Sequence, residues 1–161
     1  MIKKYTESID LDYRYYDYHE SIVNTDKEGD KYTSYIFKFN IVKDIYYVTI
    51  TIFDFDNEFF TVDFQIEEDY TQDNLNNRDC LSRTYTNTNK FNSFFVLSTV
   101  FKVIKDFYNH NKEILHSFSF VANDDKRHNI YKNIIRKNLH NWEITSDEKD
   151  EKGVWHVRYK F

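Results

Sequence analysis

The chain contains no proline, two glycines and one cysteine. Without proline or a glycine repeat there is no collagen-like or proline-rich segment. Gly29 and Gly153 stand alone, so GxGxxG and GxxxxGK[ST] are both missing. The glycine loops that let backbone N–H groups cradle phosphates are thereby excluded. Cys80 has no second cysteine to pair with, which excludes an internal disulfide and a cysteine-built metal site. As a nucleophile it would need a neighbouring base, and no histidine lies near it in sequence. No apolar run approaches the ~20 residues of a membrane helix. The first residues, Met1-Ile2-Lys3-Lys4-Tyr5-Thr6, lack the apolar core of a signal peptide. These absences lead us to expect a cytoplasmic protein with no membrane partner.

Metal and catalytic signatures are equally sparse. The histidines His19, His110, His116, His128, His140 and His156 include no i, i+4 pair and no HExxH. Asp54, Asp56, Asn57 and Glu58 open like a calcium loop but lack its closing glycine and glutamate. Asp54, Asp63, Glu67 and Glu68 are candidate paired carboxylates at a sheet end, although solvated turn acids explain them better. No metal, cofactor or catalytic residue is therefore expected.

Aromatic residues and uneven charge are what the chain does have. Tyr, Phe and Trp make up 19% of it, enough to build a core or to supply contact surface. Lys, Asn, Ile, Tyr and Phe all have AT-rich codons, so base composition accounts for part of this bias. Residues 1–89 carry 9 Lys/Arg against 18 Asp/Glu, whereas residues 90–161 carry 13 against 9. Such halves either complement each other within one fold or present a basic face to an acidic partner.

Periodicity sets the order of elements. Ile9, Leu11, Tyr13 and Tyr15 alternate with polar residues, predicting a strand over 8–16. Residues 26–30 form a turn in which Gly29 supplies positive φ. Strands follow at 35–41, 45–55 and 60–66, the middle one apolar on both faces and so central. They make an antiparallel meander, with a turn over 54–58. Residues 67–91 are polar and aperiodic, a long loop of a kind often functional. Phe94, Leu97, Phe101, Ile104 and Tyr108 mark a helix over 92–109. A strand at 114–121 leads to a helix at 124–138, capped by Asn123 or Asp124, with Ile130, Tyr131, Ile134 and Ile135 inward. Trp142–Thr145 and Val154–Phe161 form a last hairpin. The order β-β-β-β-α-β-α-β-β predicts a single α+β domain over 1–161, with one mostly antiparallel sheet and two main helices.

The clearest candidate binding residues are basic. Lys126, Arg127, Lys132, Arg136 and Lys137 lie on the second helix, and Arg158 and Lys160 follow on the last strand. A basic stripe of this kind grips phosphates or an acidic protein surface. No nucleic-acid module is visible and the chain is acidic overall, so a protein partner is expected ahead of nucleic acid. The last strand is read as a sheet edge, which would permit a homodimer.

The segment Phe118-Ser119-Phe120-Val121-Ala122-Asn123, with Arg127, Ile130-Tyr131-Lys132 and Trp142-Glu143-Ile144, resembles the GNAT acetyltransferase superfamily. There a strand enters a short turn, a helix carrying Tyr follows, and a hairpin ends the fold. The residue resemblance covers about 118–144, and the order of elements extends it over roughly 33–161. It implies a GNAT-like topology and would place a general acid at Tyr131. The superfamily's glycine-rich pyrophosphate loop has no counterpart, because residues 67–91 contain no glycine. The resemblance thus implies the fold without acetyl-CoA binding, and Tyr131 is read as a core residue. The Ala122, Arg127 and Tyr131 arrangement also resembles small bacteriophage and Bacteroidetes proteins. Together these readings lead us to expect a non-catalytic, phage-encoded interaction protein that binds and inhibits a host protein, such as a defence component. The alternatives are a virion structural or assembly protein and a divergent acyltransferase-like or carboxylate-dependent enzyme.

Overall fold

The computed structural model describes residues 16–41, 44–67 and 90–161. These form β1 (Tyr16–Thr25), β2 (Lys31–Ile41), β3 (Asp44–Phe53), β4 (Asp56–Ile66), α1 (Lys90–Asn111), β5 (Ser117–Ala122), α2 (Asp125–Asn138), β6 (Glu143–Lys149) and β7 (Trp155–Lys160). All strands join one seven-stranded sheet in the order β1-β2-β3-β4-β5-β7-β6. Every neighbouring pair is antiparallel except β4 and β5, which run parallel. That parallel pairing covers only Phe59–Thr61 against Ser117–Ser119. The α+β class and the mostly antiparallel sheet agree with the sequence reading.

The local reasons are mostly the expected ones. Gly29 turns the chain between β1 and β2 with φ of 91°, and Asp26 Oδ1 accepts from the N–H groups of Glu28 and Asp30. Tyr46 to Thr51 of β3 are buried on both faces, as a central strand requires. In α1 a broad stripe from Val96 to Phe107 is buried, and the helix packs on β2 and β3. Asp124 caps α2, its Oδ1 accepting from the Arg127 N–H at 2.7 Å. Tyr131 of α2 is fully buried, with Phe101 of α1 and Phe120 of β5 beside it. Both helices therefore lie on one face of the sheet, the face of Phe60, Phe118, Phe120 and Tyr159.

The aromatic residues fill this core. Phe60 touches Phe107, Phe118, Trp142 and Phe161, and Trp142 stacks on Phe161 with centroids 4.4 Å apart. Among the described residues Phe55 is the one exposed aromatic side chain. Of the two uses the sequence allowed, the described aromatics serve the core.

Other boundaries also shift. The strand expected over 8–16 lies outside the described residues but for Tyr16, and the first described strand is 16–25. A bulge between Tyr18 and Glu20 interrupts its alternation. Phe55 belongs to the turn after β3, not to the strand, because β4 already begins at Asp56. Ile114 sits in the turn after α1, where its N–H donates to the Asn111 carbonyl, and β5 starts at Ser117. β6 reaches Lys149, so the last turn is shorter than 146–153. The final strand is not an edge: β7 lies between β5 and β6, and β6 and β1 are the edges among the described residues. Residues 68–89 of the long polar segment, with Cys80 and Glu68, lie outside the described residues, as does the Phe94 side chain.

Candidate functional site

The basic residues singled out in the sequence do not form one surface. Successive side chains of a strand point to opposite faces. Val157 and Tyr159 face the helices, so His156, Arg158 and Lys160 face away from them. Arg158 reaches Asp56 at 3.9 Å and lies 4.4 Å over the Phe59 ring, on the side of the sheet opposite α2. Lys126, Arg136 and Lys137 are exposed on the outer side of α2, Arg136 donating to Asn133 Oδ1 at 3.4 Å. Arg127 is largely buried and pairs with Asp124 at 2.8 Å. The structure thus divides the basic set between two faces and engages several of its members internally.

Lys132 belongs to a network that ties α2 to the last hairpin. Asp147 of β6 accepts from Lys132 at 2.5 Å and bonds His128 Nε2 at 2.6 Å. His128 stacks on Trp155, with centroids 3.9 Å apart. Trp155 Nε1 donates to Asp125, which also accepts from Lys149 at 3.2 Å. Burial pushes the Asp147 carboxyl up, but the bonds and charges of Lys132 and His128 outweigh it and hold the group below the usual carboxylate range. Burial, then the nearby Asp147 charge, pushes the Tyr159 hydroxyl up. Lys132, His128, Asp147, Trp155, Asp125 and Lys149 answer one another, which is the chemistry of a structural clasp.

Asp54 and Glu67, weighed as paired carboxylates against solvated turn acids, lie apart. Asp54 precedes β4 and Glu67 follows it, so a whole strand lies between them. Asp26, Glu28 and Asp30 bring carboxylate oxygens within 4.8 Å of one another. The Asp26 bonds that close the turn account for that proximity.

The feature that sequence reasoning missed is a pocket of about 220 Å³ at the end of the sheet where the β1–β2 and β3–β4 turns meet the C-terminus of α1. Ile52, Phe53, Phe107 and Leu115 give it apolar walls. Thr33, Tyr35, Asp54, Asn57 and Asn111 supply its polar groups. Burial, then the Tyr18 and Asp54 charges, push the Tyr35 hydroxyl up. Ile114 lines the pocket while remaining 53% exposed. Phe55, 68% exposed, rests on Phe53 at 5.0 Å. Val23, 71% exposed, pairs across β1 and β2 with Thr33 and so shares its face. The available signal was a large apolar residue inside a polar turn, as in Asp54-Phe55-Asp56 and Lys112-Glu113-Ile114. Comparison of the chain with protein-family models, with curated proteins and with solved structures finds no match.

Proposed function

We propose that the chain is a non-catalytic protein-interaction module whose main contact is the pocket at the turn end of the sheet. One observation carries this reading. Of the four exposed large hydrophobic side chains among the described residues, Ile114 lines that pocket and Val23 shares the face of its lining residue Thr33, whereas Phe55 rests on the Phe53 ring beside Tyr32, on the other face, and Ile144 lies elsewhere. Apolar side chains scattered singly are ordinary, but one held exposed at the rim of an apolar concavity is the form an anchor site takes. The non-catalytic part of the reading rests on the missing glycines of 67–91 and on the burial of Tyr131. A GNAT-like topology is part of the proposal, supported by the meander, helix, strand, helix and final hairpin in that order. The resemblance to small bacteriophage proteins makes a host protein the expected partner.

The test compares affinity capture from the expressing cells by three forms of the tagged chain. These are the wild type, an Ile114→Asp variant, and a Lys126→Glu/Arg136→Glu/Lys137→Glu variant. A protein captured by the wild type should be lost with the pocket variant and kept by the helix variant. The reverse pattern would transfer the contact to α2 and overturn the proposal.

A further inference from the structure

We infer that the pocket takes a partner segment in which one large apolar side chain is accompanied by a lysine or arginine. This rests on the proposed docking role and adds the chemistry of the occupant. A dry cavity of about 150 Å³ already holds a benzene ring. The pocket, at about 220 Å³, has room for one large side chain between Ile52, Phe53, Phe107 and Leu115.

The charge around it is mostly negative. Among the described residues no lysine, arginine or histidine lines the pocket, whereas Asp54 does. Asp54 has no ion-pair partner among the described residues, unlike Asp56, which meets Arg158. The two turns at this end carry Asp26, Glu28 and Asp30 on one side and Asp54, Asp56 and Glu58 on the other, more than Lys27, Lys31 and Lys112 nearby offset. They are adjacent, since the Asp54 N–H donates to the Lys31 carbonyl at 2.9 Å. Helix α1 also ends here, and Asn111 at its C-terminus lines the pocket. A helix C-terminus carries the negative end of the macrodipole and favours a cation. A phosphate or an anionic lipid surface would meet net repulsion there. A cationic head beside an apolar anchor satisfies Asp54 and the apolar walls together.

A random peptide library displayed on phage, panned against the full chain, tests this directly. Peptides enriched on the wild type should place an aromatic or aliphatic residue next to lysine or arginine. A synthetic copy of the strongest should bind about tenfold or more weakly to Asp54→Asn. Its affinity should also fall as salt is raised, and binding should be lost with Ile114→Asp. Both substitutions are at exposed positions, and circular dichroism verifies that the variants fold. Peptides that lose binding with Ile114→Asp, yet lack basic residues or ignore Asp54→Asn, would overturn the charge inference and leave the docking role standing. Peptides that ignore Ile114→Asp, or no enrichment at all, would overturn both. A dimer of the chain in solution that Ile114→Asp dissolves would make a second copy the occupant and also overturn the inference.

Discussion

Asp147 shows how much one side chain can hold. It gathers Lys132 and His128 from α2 while sitting on β6, so Asp147→Asn removes an ionised acceptor from two partners at once. Hydrogen bonds to charged groups contribute about 1.5–3 kcal/mol each, and less where water competes. A loss of about 1–3 kcal/mol in urea denaturation is the expected outcome. The same residue sets an acid sensitivity. Its carboxyl ionises below the ordinary range when folded, so its contribution is complete above the unfolded value and lost as pH falls through the folded one. Wild-type stability should decline as pH falls through and below the ordinary carboxylate range, and Asp147→Asn should decline less steeply. Phe60 is the apolar counterpart, fully buried against four aromatic rings. Phe60→Ala should cost about 3–5 kcal/mol, because the rings around it cannot collapse to fill the space.

Single elements depend on their ends. Asp124 satisfies an orphan N–H of α2 and pairs with the side chain of Arg127. Asp124→Ala should cost about 1–2 kcal/mol in thermal unfolding, while Asp124→Asn, which keeps an accepting oxygen, should cost less. This cap was legible in the sequence, as were β2, β3 and β4, whose alternation or double-sided apolarity is uninterrupted. The first described strand was not, because the bulge at Tyr18 and Glu20 puts its side chains out of step. The extent of β6 was hidden for another reason. Ser146 to Lys149 are polar on both faces, which an edge strand tolerates and which erases the period-two signal. Sequence spacing equally hid the pocket, assembled from residues near 33, 54 and 111 that are far apart along the chain. The basic residues were visible one by one, but the strand geometry that sends Arg158 away from α2 was not.

Across the whole molecule, backbone protection should follow position in the sheet. β2 and β3 are paired on both sides along most of their length, and α1 covers them. Their amides should exchange slowest in native-state hydrogen exchange, and those of the edge strand β6 faster. Uniform protection across the strands would count against this order. The chain as a whole should also show no rise in melting temperature with millimolar acetyl-CoA, since a ligand that binds only the native state raises it. A clear rise would return the chain to the acyltransferases.

The short parallel pairing of β4 with β5 has a mechanical consequence. It divides the sheet into a four-stranded panel and a three-stranded panel joined by a three-residue seam. Within each panel the ladders are long, and shearing them breaks many bonds together. At the seam only a few must give. The helices act as straps: α1 lies on the larger panel, α2 on the smaller, and Phe101 meets Tyr131 between them. Torsion between the panels therefore concentrates at Phe59–Thr61 and Ser117–Ser119. Under load in a single-molecule experiment, the panels should part along that line before either one frays.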